Sequence, residues 1–471
     1  MSHEQQPVRY VGAVRNAAEG MLSVVAALAV MAVAGLAGLL ALGAGAGAPL
    51  SRLLPAVLSA AVGGPVGIVP DIAGGGLPAG RLGIGLQGRV AAVPLTLTFL
   101  GAAVLGAGFF RPLRRRGRPG GELLLTRAAG ALTATVLLVP ALAVLGRGTA
   151  ELPADVRGRL GEGEAGPVLG RFGDGGALSS VGFRAEVLPT TCAALLGVTV
   201  LLLLGCVAAR RTSLPRSLAL SRGRFRWLPV VSALTGVLTA VGCLSVLIGL
   251  LAGALALSGH EGAARVAGAL LLAGPNLVVV LLSSGLGASW EAGTRREQAD
   301  GGGLLGVFLR ARGDGGTTTR VLALNDRVVA GVPLWLLGLL VLSALLLLTG
   351  FLAAGRTPAR TARAATDALL GRHLDCGLRT GVVFAAAVLP LMWLAEADAR
   401  LTVRVMGSDL AGVTAALEGT VGICPLTGFL LGLCAGWCGS RLHGLRAARR
   451  GQVSPVWSAE ARQVSKTRPG P

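Results

Sequence analysis

The sequence predicts an all-α fold, a polytopic bundle of transmembrane helices, on three observations. Hydrophobic residues fill 53% of the 471 positions and charged residues only 14%, where soluble domains carry about 25% charge. Apolar runs such as 21–45 and 187–209 pass the roughly 20 residues that cross a hydrocarbon core. Such runs recur along the chain, and one buried core cannot absorb so many uncharged segments.

Taken in order, full spans are expected at about 21–45, 90–110, 128–146, 187–209, 228–257, 329–355, 380–396 and 421–439. The first exceeds the usual apolar core of a secretion signal, about 7–15 residues, and more spans follow it, so it is read as retained. Two further apolar stretches differ. The segment 53–69 is short and interrupted by Pro55, Gly63, Gly64 and Pro65, and 266–287 carries Gly274, Pro275 and Asn276 at its middle. Proline removes an amide donor and clashes with the preceding turn, so both are expected to be Pro-broken, re-entrant or kinked segments.

Loop charge gives the topology. With eight crossings and both termini cytoplasmic, the inner segments are the N-terminus, 111–127, 210–227, 356–379 and 440–471. They hold 26 of the 43 basic residues and 6 of the 23 acidic ones, so the net charge of +20 falls on one face and the outer side balances at 17 of each. That is the asymmetry the positive-inside rule favours. Letting 266–287 cross as a ninth span divides the basic residues almost evenly. The charge is therefore a matter of topology and not of nucleic-acid binding. The expected location is a bacterial cell membrane, with the bilayer as partner and other membrane proteins as further candidates.

The chain then reads twice, as parallel four-span repeats over 1–227 and 228–450, followed by a disordered cytoplasmic tail at 451–471. Leu86-Gln87-Gly88-Arg89 through Val93-Pro94-Leu95 matches Leu324-Asn325-Asp326-Arg327 through Val332-Pro333-Leu334 with one insertion. Gly64-Pro65 is matched to Gly274-Pro275, Val139-Pro140 to Leu389-Pro390, and Pro189-Thr190-Thr191 to Pro425-Leu426-Thr427. Two repeats of the same orientation imply a pseudo-two-fold axis along the membrane normal.

Candidate functional residues follow from this frame. Matched broken segments often form substrate sites, because unwound backbone frees amides and carbonyls; Gly64, Pro65, Gly274, Pro275 and Asn276 are those positions. Against this stands a kinked helix packed at the repeat interface without a ligand. Arg89 and Arg327 form an external pair that could draw in an anion or simply anchor helix ends. Gly428, Gly432, Gly436 and Ser440 repeat at four-residue spacing and make a helix-packing stripe. No cofactor, metal or catalytic set is expected. The seven Cys form no CxxC pair, the four His lie in loops or tails, and the nucleophile-elbow and phosphate-loop motifs are missing. Ionisable residues such as Arg127, Arg265, Glu396 and Glu418 fall at span ends, which weighs against an ion-coupled carrier.

In its size, its hydrophobicity, its Arg-only loops and the Gly274-Pro275-Asn276 segment followed by an apolar run, the chain resembles the streptophobe family of multi-pass membrane proteins of actinomycetes. It is also similar to a second actinobacterial membrane family associated with cell division and regarded as permease-like. The resemblance implies a membrane helix bundle and supplies no catalytic residues. Two functions compete: a permease-like protein with a site between the repeats, and a non-transporting scaffold or regulator of envelope proteins.

Overall fold

The structure is a computed structural model, and it describes residues 5–70, 84–115, 121–151, 180–208, 220–256, 261–298, 319–324, 328–329, 331–357, 369–405 and 408–449. Arg327, the Gly-rich stretch 301–316 and the tail 451–471 lie outside the described residues.

Among the described residues the first part of the chain forms α1 (Gln5–Ala41), α2 (Leu50–Ala61), β1 (Val66–Pro70), β2 (Ile84–Ala92), α3 (Leu95–Arg115), α4 (Gly121–Leu145), β3 (Arg147–Glu151), β4 (Ser180–Ala185) and α5 (Val187–Ala208). The second part forms α6 (Leu220–Ala256), α7 (Glu261–Ser284), β5 (Trp290–Gln298), β6 (Thr319–Ala323), the two-residue strands β7 (Val328–Val329) and β8 (Val332–Pro333), α8 (Leu334–Arg356), α9 (Leu369–Ala395), β9 (Ala397–Val405), β10 (Ser408–Gly419) and α10 (Cys424–Arg449).

Among the described residues seven helices are long and apolar enough to cross a membrane: α1, α4, α5, α6, α7, α8 and α9. The chain is accordingly a multi-pass membrane protein. Their outward faces carry large apolar side chains such as Leu203, Leu251 and Leu340, which suits a lipid environment. Of the predicted spans, α3 contributes a shorter apolar stretch, Leu95–Arg111, and α10 is not among the seven.

Three expectations are corrected. The segment 266–287 is not broken, because α7 runs without interruption through Gly274, Pro275 and Asn276. Proline there forfeits one intrahelical hydrogen bond, and neighbouring helices make this tolerable. Gly64 and Pro65 lie in the turn after α2 and not inside a helix, so they do not correspond to Gly274 and Pro275. Finally, the connections read as loops hold an eight-stranded antiparallel sheet in the order β3-β4-β1-β2-β9-β10-β5-β6. Each part of the chain supplies four adjacent strands, and β2 pairs with β9 to join them.

Connectivity puts the sheet at one end of the bundle, since the end of α4 and the start of α5, for example, both open directly into its strands. Two features of the helix ends recur. Prolines precede both Leu95 and Leu334, where α3 and α8 begin; Pro140 and Pro390 sit five residues before the ends of α4 and α9. The largest buried cluster includes Leu95, Val280, Leu286, Trp290, Leu342, Leu346, Phe384 and Met392. It packs α3, α7, α8 and α9 beneath the sheet.

Candidate functional site

At the start of α3 the polar groups of three helices meet. The first amides of a helix have no intrahelical acceptor. Here the amide of Leu95 donates to Asn276 Oδ1 at 2.9 Å, and Asn276 Nδ2 donates to the carbonyl of Val93 at 2.9 Å. A side chain of α7 thus caps α3 from 181 residues away. One turn on, the Thr98 hydroxyl donates to the carbonyl of Ala61 at the end of α2, at 2.6 Å. The structure brings both candidate segments to this turn, but their polar groups are spent on backbone. The hydroxyl of Thr96, buried in the same turn, has no hydrogen-bond partner among the described residues.

Contacts along α7 give its depth relative to its neighbours. Gly268 lies against Gly38 and Leu42 at the end of α1, and Gly285 lies against Gly338 and Leu339, in the second turn of α8. A Cβ on Gly338 would stand 2.0 Å from the Leu281 carbonyl oxygen. By contrast a Cβ on Gly274 would meet nothing nearer than 3.8 Å.

The ends of α2 and α7 are built alike. Gly63 and Gly287 both take positive φ, at 91° and 88°, a conformation that favours glycine and closes a helix. The amide of Gly64 reaches the Ser59 carbonyl at 2.9 Å, as that of Ala288 reaches Ser283 at 3.0 Å. Ser59 and Ser283 each return their hydroxyl to the carbonyl four residues back, at 2.8 and 2.6 Å. Buried Trp290 then donates its indole N–H to Ser283 at 2.8 Å. Gly64 itself leaves no room for a side chain, since a Cβ would sit 2.1 Å from Thr190 Oγ1.

The sheet has two unlike faces. On one, Val90, Ala92, Ala397, Ala399, Ala415 and Leu417 floor an apolar trough of about 510 Å³, drawn from strands of both parts of the chain. Strand alternation turns the intervening residues to the other face, and there the register lines up arginines. Arg147 pairs with Arg184, Arg184 with Gly67, Gly67 with Arg89, and Arg89 with Arg400. All four arginines are exposed. Arg89 lies 3.4 Å from Glu186 and Arg400 3.0 Å from Asp398; among the described residues Arg147 and Arg184 form no ion pair. Nearer the helices the same face carries Glu418 directly opposite Glu291. Burial pushes the neighbouring Glu396 carboxyl up from its ordinary value, and the Glu418 charge pushes the same way.

At the other end of the bundle Arg127 is buried. It donates to Glu19 of α1 at 2.7 Å and to the Gly108 carbonyl of α3 at 3.0 Å, and it lies over the Phe109 ring. The small-residue stripe faces α9. Gly432 approaches Gly381, Gly436 approaches Thr380 and Gly377, Gly428 approaches Phe384, and Ser440 hydrogen-bonds His373. Among the described residues no group of three or more His, Cys, Asp or Glu side chains is placed to hold a metal ion.

Arg147, Arg184 and Arg400 escaped the sequence reading, although a signal was present. Residues 397–405 alternate apolar and polar without a break, the period of a half-buried strand. No family model matches the chain, and no curated protein or solved structure matches it.

Proposed function

We propose that this chain is a non-transporting scaffold of a bacterial cell membrane, made of two parallel repeats with eight crossings and both termini in the cytoplasm. The observation that carries the reading is Asn276. Its amide is used in both directions on the backbone at the start of α3, and glycines of α1, α7 and α8 close the surrounding contacts. A carrier of polar solutes needs free donors and acceptors between its halves; here they serve as caps.

The crossing number rests on connectivity. α6 runs toward the sheet, and the unbroken α7 both starts after it and ends in β5, so both of its ends belong to the sheet's side and it lies across the bundle without making a crossing. Its end beside Gly338 and Leu339 supports this. The ends of α3, α5 and α8 and the starts of α4, α6 and α9 then share the side that the loop charges assign to the cytoplasm. The revised repeat matches Gly63 with Gly287, and the sub-sheet β3-β4-β1-β2 with β9-β10-β5-β6.

The test is solvent access at position 276. In a variant with the seven native cysteines replaced, Asn276→Cys in sealed vesicles should resist a small charged thiol reagent from either side. Free labelling from one or both sides would restore the permease-like reading.

A further inference from the structure

We propose that the arginine row on the exposed face of the sheet binds a chain of phosphate groups, a linear polyanion running across both parts of the protein. The row is Arg147, Arg184, Arg89 and Arg400, in register across β3, β4, β2 and β9 with Gly67 of β1 between the middle pair. At about 4.8 Å per strand it extends roughly 19 Å. Like charges directly opposite in a ladder are destabilising, and Arg89 faces Arg400 as Arg147 faces Arg184. Carboxylates offset this only in part, through Glu186 and Asp398. The outer segments balance at 17 basic and 17 acidic residues, so the row is a local concentration and not a general bias.

The geometry selects the ligand. Gly67 puts no side chain between Arg184 and Arg89, leaving a notch about two strand spacings wide with a backbone floor. A guanidinium offers a planar fork of donors. A tetrahedral phosphate can accept forks from both walls of such a notch, whereas a carboxylate offers its oxygens in a single plane. A row of such charges fits repeated phosphates better than a single one.

A lipid headgroup layer fits less well. Arg147 stands two residues beyond α4 and Arg400 five beyond α9, so along the strands they lie about 7 and 16 Å from the helix ends. The headgroup zone is only about 5–7 Å deep on each side, too thin to reach the whole row. The proposal does not depend on whether anything crosses the membrane.

The experiment uses the full chain in nanodiscs of uncharged zwitterionic lipid, with inorganic polyphosphate as probe. Polyphosphate should bind far more tightly than orthophosphate. Arg89→Gln with Arg400→Gln, and separately Arg147→Gln with Arg184→Gln, should each weaken binding about tenfold or more. Arg89→Lys with Arg400→Lys keeps the charge, loses the forks, and should fall between; it also serves if a glutamine pair unfolds. Arg265→Gln, an exposed arginine on α7, should leave binding unchanged. The proposal is overturned by an unresponsive wild-type protein, by glutamine pairs that bind normally, or by an equal loss in Arg265→Gln. Equal affinity for polyglutamate, or binding confined to nanodiscs containing phosphatidylglycerol, would overturn it in favour of a general acidic partner or the lipid surface.

Discussion

Glu396 links α9 to β9 and faces Glu418, with Glu291 and Asp398 close by on the same side of the sheet. Its carboxyl is raised above the ordinary value of about 4.3 by burial first and by Glu418 second. The folded state therefore holds this proton more firmly than the unfolded chain. Ionisation costs stability; the cost is complete above the raised value and gone below the ordinary one. Glu396→Gln should raise the thermal midpoint in detergent at pH 8, and the gain should vanish near pH 4. A gain that persists unchanged in acid would mean packing, not charge, is responsible. Asn276 teaches a related lesson about reading single residues. From sequence it is a polar group at a helix break and invites a ligand. Its partners, the amide of Leu95 and the carbonyl of Val93, lie 181 and 183 positions away, and no local pattern encodes them.

Helices were legible wherever lipid dictates them. The apolar runs at 187–209, 228–257 and 329–355 reappear in α5, α6 and α8, although α6 begins eight residues earlier, at Leu220, because hydropathy alone decides them. Pro275 does not end α7, because the helix does not stand by itself. α7 packs against α6, α3, α1 and α8, and that packing outweighs one missing bond. Strands were the larger omission. The alternation in 397–405 was readable, whereas the five residues of β1 or β3 are too short to announce themselves without their partners. Where α7 crosses α8 the fit depends on glycine. Gly338→Ala should cost about 1–3 kcal/mol by overpacking, measured as a lowered thermal midpoint, since its Cβ meets the Leu281 carbonyl. Gly197→Ala, where nothing lies within 4 Å, should be neutral or slightly stabilising through helix propensity.

For the molecule as a whole, the side on which the sheet stands is open to direct measurement. In the cysteine-free background, an impermeant thiol reagent added outside intact cells should label Asp300→Cys and leave Ala365→Cys untouched. The reverse pattern would invert the eight-crossing arrangement.

The joint between the two parts of the sheet has a mechanical consequence. β2 and β9 are paired along nine residues, from Ile84 with Val405 to Ala92 with Ala397, whereas β1 and β2, neighbours in sequence, share three pairs. A long antiparallel ladder resists shear, because sliding it by one step breaks every rung together. The outer sheet therefore acts as a splice plate bolted across the seam. Force applied to one part is carried into the other through all nine rungs at once.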